Sequence, residues 1–307
     1  MRILVTGGAG FIGSNFVRYL LDEHDDSVVT LDALTYAGST DNLEGVLDHP
    51  RHQFVEGDIR DEDLVTDLVA DVDAVINFAA ESHVDRSIKS AKPFVATNVQ
   101  GTQTLLDAAK NEGVERFLQI STDEVYGQIL EGTFSEGDSL NPRNPYSASK
   151  AGADHLVRSF ETTYDLPVLV TRTCNNFGPR QYPEKLIPKF IQCASEGNSL
   201  PVYGDGSNVR EWIYVEDNCR ALDFVLREGD VGEVYNIGSH EEKTNLDVTR
   251  AIIEAVGASE DLIEFVEDRA GHDQRYALDT ERIEALGWEP EYTFEEGLDR
   301  TVDYYLG

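Results

Sequence analysis

The sequence predicts an α/β fold, a doubly wound parallel sheet with helices on both faces and a smaller C-terminal substrate-binding domain. Three observations predict it. A glycine turn, Gly7, Gly10 and Gly13, follows the first apolar run. Short apolar runs then alternate with helical patterns through the first half. After about residue 175 that alternation becomes irregular. The glycine turn makes the sheet Rossmann-type.

In chain order, Ile3–Thr6 reads as the first strand and Phe11–Leu21 as the first helix. Val28–Leu31 and Gln53–Val55 read as strands, Glu62–Val69 as a helix, and Ala74–Phe78 as a strand. Pro93–Asn111 reads as a long helix, with proline in its first turn where the missing N–H costs nothing. Phe117–Ser121, a helix over Tyr146–Tyr164 and a strand over Val168–Thr171 follow. Strands alternating with helices at this pitch mean βαβ units and a parallel sheet. Leu186–Glu196, Val215–Leu226, Leu246–Val256 and Glu295–Tyr305 read as further helices between turn-rich stretches such as Tyr203-Gly204-Asp205-Gly206. We therefore expect residues 1–174 to form the dinucleotide-binding domain, with returns from the second half, and residues 175–307 mainly the substrate-binding domain.

The chain has 307 residues, with 25 Lys+Arg against 58 Asp+Glu, a net charge of −33. With 40% hydrophobic residues it has enough core-forming side chains to escape disorder. So acidic a surface excludes nucleic acid and anionic membranes as partners, since those need clustered Lys and Arg. The balance of 7 Lys to 18 Arg, with acid spread along the whole chain, reads as adaptation to molar cytoplasmic salt. There the Debye length is about 3 Å and self-repulsion is screened. No run approaches the ~18 apolar residues of a membrane span, and Met1 leads straight into a strand. A cytoplasmic protein is the expectation. Cys174, Cys193 and Cys219 have neither disulfide nor zinc spacing and read as buried free thiols. No metal site is expected.

In the turn Gly7-Gly8-Ala9-Gly10-Phe11-Ile12-Gly13, one glycine makes the tight bend. A second lets backbone N–H groups approach a pyrophosphate, and the third lets helix pack on strand. Asp32, 19 residues after Gly13, stands where a carboxylate accepts hydrogen bonds from ribose hydroxyls and repels a 2′-phosphate, which selects NAD over NADP. Tyr146 and Lys150 lie at i and i+4 on one helix face. An ammonium beside the phenol and a positive nicotinamide favour the phenolate, which can take a proton from a sugar hydroxyl as hydride leaves.

Those residues resemble the extended short-chain dehydrogenase/reductase superfamily. Ser121-Thr122-Asp123-Glu124-Val125-Tyr126-Gly127 narrows the resemblance to dTDP-glucose 4,6-dehydratases. The blocks at 79–87, 175–179, 183–188, 210–212 and 268–273 agree, so the likeness covers nearly the whole chain. Two adjacent carboxyls directly after a strand project into the crevice at the strand ends, and their proximity pushes the two pKa values apart. The resemblance implies that Tyr146, assisted by Thr122 and Lys150, deprotonates the 4-hydroxyl. It further implies that Glu124 takes the carbon-5 proton, that Asp123 protonates the departing 6-hydroxyl, and that tightly bound NAD is regenerated each turnover. It implies Asp58 and Ile59 at the adenine, and Phe11, Ile12, Leu34, Thr35, Ala79, Ala80, Ser82, Thr97 and Asn176 along the rest of NAD. It implies His83, Asn175, Lys185, Leu186, Pro201, Tyr203, Arg210, Asn245, Arg269 and His272 along the nucleotide sugar, with both arginines on its pyrophosphate. A homodimer paired through the helices Pro93–Asn111 and Tyr146–Tyr164 is also implied.

Two departures stand out: Ala270 replaces the usual proline, and the interval from Glu124 to Tyr146 is short. Two rival readings are an epimerase or decarboxylase of the same superfamily and an NAD-binding regulatory protein without catalysis. The Asp123-Glu124 pair argues against the first. The retained Tyr, Lys, Asp and Glu argue against the second.

Overall fold

Seven strands carry the main sheet of the structure, a computed structural model that describes residues 1–268 and 272–307, and all but the edge strand His52–Glu56 are largely buried. In chain order the strands are β1 (Arg2–Thr6), β2 (Ser27–Asp32), β3 (His52–Glu56), β4 (Ala74–Asn77), β5 (Arg116–Thr122), β6 (Val168–Thr173), β7 (Asn175–Phe177), β8 (Leu200–Tyr203), β9 (Val209–Tyr214), β10 (Val234–Ile237), β11 (Glu242–Thr244) and β12 (Ile263–Val266). The main sheet runs β3-β2-β1-β4-β5-β6-β10, every pair parallel. The strand order reverses between β1 and β4, which opens a crevice at their carboxyl ends.

Alternation along each strand feeds two cores. Ile3 and Val5 of β1 pack with the helices Phe11–Glu23 and Val215–Glu228 on one face. Leu4 points the other way, among residues of the helices Glu62–Val69, Thr102–Glu112 and Pro145–Tyr164. Apolar residues at consecutive strand positions are what a sheet covered on both faces requires.

The elements expected from the first half are all present, within a residue or two. The long helix differs inside: Lys92–Phe94 is α-helical, Val95–Gly101 widens to a π-helix, and Thr102–Glu112 is α-helical again. A Cβ on Gly101 would come within 2.4 Å of the Ile59 side chain, so the Asp58-Ile59 loop closes tightly on this helix. The second half contributes β10 to the main sheet, beside β6. Its other strands form two small sheets, β11-β9-β7 and β12-β8. These pack on a third core in which Phe177, Trp212, Tyr214 and Phe294 stack edge to face or tilted. Cys174 and Cys219 are buried thiols, whereas Cys193 is only half-buried.

Candidate active site

The turn after β1 is built as its glycines require. Gly7 has φ +68°, and its N–H donates to the Leu31 carbonyl at 2.8 Å. A Cβ on Gly13 would lie 2.3 Å from the Gly7 carbonyl oxygen, so the helix can start here only without side chains. Gly10 precedes the helix Phe11–Glu23 and offers no side-chain cap. The first-turn N–H groups thus keep the anion-binding character of a helix N-terminus.

A cleft of about 340 Å³ opens from this turn along the carboxyl ends of the strands. Of the expected cofactor residues, Gly7, Gly10, Phe11, Ile12 and Gly13 line it at the turn, and Asp32, Thr35, Asp58 and Ile59 line it beyond β2 and β3. Ala79, Ala80, Ser82, Thr97, Tyr146 and Lys150 close the other side. Two expected residues do not form the wall. Leu34, at φ +47°, acts through its backbone, donating its N–H to Asp32 Oδ1 at 2.8 Å. Asn176 turns its amide to Thr173 Oγ1 and the Cys174 carbonyl. Asp32 also accepts the Ala9 N–H at 2.9 Å, which aims its carboxylate while a second lone pair on each oxygen stays available. Burial raises its pKa, and the two backbone N–H groups oppose that. The glycine cradle, the uncapped helix start and this oriented carboxylate together fit a dinucleotide.

β5 ends in the second part of the site. Thr122 Oγ1 accepts the Glu124 N–H at 3.3 Å and donates to Asp123 Oδ1 at 3.1 Å, capping a one-turn 3₁₀-helix, Asp123–Tyr126. Asp123 is 3% exposed, and among the described residues its Oδ2 has no hydrogen-bond partner. Burial, and then the neighbouring Glu124, push its pKa up to about 8, so it carries a proton at neutral pH.

Lys150, also buried, donates from Nζ to the Ile120 carbonyl at 2.6 Å. Burial brings its pKa down to about 8, against the pull of Asp154. Asp154 in turn holds the fully buried Arg172 of β6 at 3.0 Å, which locks the helix Pro145–Tyr164 to the sheet. The Tyr146 phenol, taken with the protein groups alone, goes the other way from the expected phenolate. Its pKa is raised, by burial first and then by Glu124, rather than lowered by Lys150. The Thr122 hydroxyl opposes that rise, and the Lys150 ammonium is engaged by a backbone carbonyl.

The expected sugar-side residues spread over two regions. Lys185 lines the cleft and donates to the Ser82 carbonyl at 3.3 Å. His83 sits opposite, its Nε2 3.2 Å from Glu184 and its buried Nδ1 unpartnered among the described residues. Leu186 opens the helix Leu186–Glu196. Asn175 lies on β7 beside β9, which carries the buried Arg210. The Arg210 guanidinium covers the Tyr276 ring at 4.4 Å and donates to the Asp273 carbonyl at 2.9 Å. The Asn245 N–H donates to the Asn208 carbonyl, which places that helix start beside β9. Pro201 and Tyr203 lie on β8, where the Tyr203 ring meets His272 edge-on. Arg269 and Ala270 lie outside the described residues.

A family model described as GDP-mannose 4,6 dehydratase matches residues 4–301. The "Low-salt glycan biosynthesis protein Agl12" of Haloferax volcanii is 76% identical over 100% of this chain and 99% of that protein. A dTDP-glucose 4,6-dehydratase of Streptomyces niveus is 51% identical over 99% of this chain and 93% of its own length. The chain belongs to the dTDP-glucose 4,6-dehydratase family. Among solved structures it is similar to DesIV, a dTDP-glucose 4,6-dehydratase from Streptomyces venezuelae with NAD and TYD bound. The TM-score is 0.97, at 52% identity, covering 99% of this chain and 97% of that one.

This member of the dTDP-glucose 4,6-dehydratase family also brings to the site residues that no sequence motif announced. Tyr36, Gln181 and Tyr182 line the cleft. The Tyr36 and Tyr182 rings meet edge to face at 5.6 Å, and the Arg86 guanidinium covers the Tyr36 ring at 3.9 Å while pairing with Glu184. The segment 181–185, from the second half of the chain, thus reaches across to two loops of the first. Asn98, in the π-helix, bonds both backbone groups of Glu81 and the Ser149 hydroxyl. That ties the 79–82 loop to the helix of Tyr146. Tyr36, Asn98, Gln181 and Tyr182 have no spacing or composition signal; only the folded chain juxtaposes them.

Proposed function

We propose that this protein converts dTDP-glucose to dTDP-4-keto-6-deoxyglucose. The observation that carries the reading is the carboxyl pair at the end of β5, with a protonated, buried Asp123 next to Glu124 and with Tyr146 and Lys150 on the adjoining helix. An acid and a base side by side are what removal of water across carbons 5 and 6 demands.

Bound NAD supplies the hydride acceptor for carbon 4, the hydride donor for carbon 6 and, when oxidised, a positive charge that favours the Tyr146 phenolate. The glycine turn, Asp32 and the Asp58-Ile59 loop would hold it. Tyr146 Oη takes the 4-hydroxyl proton, with Thr122 beside it, and the resulting ketone acidifies carbon 5. Glu124 takes the carbon-5 proton. Asp123 gives its proton to the 6-hydroxyl, which departs as water. The buried Lys150 keeps a positive charge close to the reacting hydroxyl. Arg210 would meet the pyrophosphate, in a protein whose net field repels it.

Asp123 works only while protonated and Lys150 only while charged, and both have pKa values near about 8. Dehydration should therefore fall as pH rises through about 8. A rate rising steadily to pH 10 would contradict this.

The acid excess and the Haloferax relative support a protein that works in high salt, within the cytoplasm. No helix among the described residues is long and apolar enough to cross a membrane. Val95 and Tyr164, 53% and 52% exposed on the helical stretch 92–112 and on the helix Pro145–Tyr164, support pairing of two copies through those helices. Light scattering in concentrated salt should report twice 34.1 kDa; a single-chain mass would refute the pairing. The reaction itself is tested by incubation with dTDP-glucose and, separately, UDP-glucose. Loss of one water from the dTDP sugar supports the reading, and an isomeric product of unchanged mass would replace it with epimerisation.

A further inference from the structure

The helix that carries Tyr146 and Lys150 begins at Asn144, and the Asn144 side chain has two partners on different elements. Its Oδ1 accepts the Ser147 N–H at 2.9 Å, and the Ser147 hydroxyl accepts the Asn144 N–H at 3.3 Å, which completes a capping box. Its Nδ2 donates to Glu124 Oε2 at 3.1 Å. The orientation of the amide is fixed by its partners. A backbone N–H demands the oxygen and a carboxylate demands the nitrogen, so a flipped amide would lose both bonds.

We propose that Asn144 is a positioning residue for the carbon-5 base: one carboxamide both starts the catalytic helix and aims the Glu124 carboxylate. The inference rests on the dehydratase reading, in which Glu124 removes the carbon-5 proton. The physical reason is the distribution of partners. Glu124 has Asp123 beside it on the same turn, Tyr146 facing it from the catalytic helix and Tyr276 facing it from the segment after β12. Arg210 of β9 faces Asp123 and Tyr276. Asp123 keeps its proton beside the Glu124 charge and is hydrogen-bonded to Thr122, and both phenols carry protons. Among the hydrogen bonds of the described residues, Asn144 is the side-chain donor that holds the Glu124 carboxylate in place. Because the same amide caps the helix, a shift of the helix start moves Tyr146 and the base together, which keeps the proton acceptors at carbons 4 and 5 in register.

Aspartate and serine cap helices as well as asparagine does, so the two roles can be separated. Asn144→Ser keeps a cap and deletes the amide nitrogen that reaches Glu124. Asn144→Asp keeps a cap, deletes the donor and adds a like charge, which disfavours the ionised form of Glu124. The measurement is deuterium uptake at carbon 5 of dTDP-glucose across pH, together with the transient absorbance of reduced nicotinamide and the melting temperature. We expect exchange to fall about 10–10²-fold in both variants, the range for one hydrogen bond to a charged group. The acid limb of the exchange profile should move to higher pH in Asn144→Asp, and formation of reduced nicotinamide should change by less than about 3-fold in either. Wild-type exchange and profile in both variants would overturn the proposal. So would an equal loss of exchange, reduced nicotinamide and melting temperature, since that is the signature of a cap alone. Absence of exchange in the unsubstituted protein would overturn the dehydratase reading itself, and the inference with it.

Discussion

Glu124→Gln should abolish uptake of solvent deuterium at carbon 5 and cut dehydration by roughly 10²–10⁴, the usual worth of one positioned base. The amide keeps the shape of the side chain but cannot accept the proton. Tyr146, Lys150 and the glycine turn stay in place, so carbon 4 is still oxidised and reduced nicotinamide builds up. Asp123→Asn gives the complementary defect. Its acid is lost, so water does not leave, yet Glu124 remains to exchange the carbon-5 proton. The separation follows from the 3₁₀ turn at the end of β5, which sets Thr122, Asp123 and Glu124 on successive positions of one turn. Full exchange and full dehydration in Glu124→Gln would show the carboxyl assignment to be wrong.

Tyr146→Phe should act earlier and stop both halves. Without the phenolic oxygen nothing takes the 4-hydroxyl proton, no ketone forms, and carbon 5 never becomes acidic. Reduced nicotinamide and deuterium uptake should therefore fall together, by roughly 10²–10⁴. The ring remains, and with it the edge-on contact to Phe94 at 6.4 Å, so the melting temperature should barely move. A variant that still exchanged the carbon-5 proton at the wild-type rate would shift the first proton transfer away from Tyr146.

The sheet and the nucleotide turn were legible because each rests on local rules. A glycine at φ +68° and a glycine whose Cβ would strike a carbonyl leave a mark in sequence. So do buried strands with apolar residues at consecutive positions, and a helix such as Glu62–Val69 with an aspartate cap. The small sheets were not legible. β7 and β11 are three residues long, too short for a period, and β10 joins the main sheet only because the helix Val215–Glu228 carries it back. Residue types at the catalytic centre were readable, but their electrostatics were not. The direction of the Tyr146 shift depends on burial and on the nearby Glu124, facts of packing with no trace in the Tyr-x-x-x-Lys spacing. The two partners of Asn144 were hidden for the same reason, since a capping asparagine looks alike whether or not a carboxylate stands behind it.

The crossing of Tyr182 and Lys185 toward Tyr36, Ser82 and Arg86 has a consequence for the durability of the fold. The cleft wall is drawn from both halves of the chain, so a molecule seated there touches both and acts as a bolt between them. Any species that binds only the folded form adds to its resistance to unfolding, by an amount that grows with the logarithm of its free concentration relative to its dissociation constant. The dinucleotide is then a structural member as well as a reagent, and the loaded protein is the one built to survive heat and dilution. Loosening the Tyr36–Tyr182 contact would show up first as a protein that melts sooner after its nucleotide has been washed away.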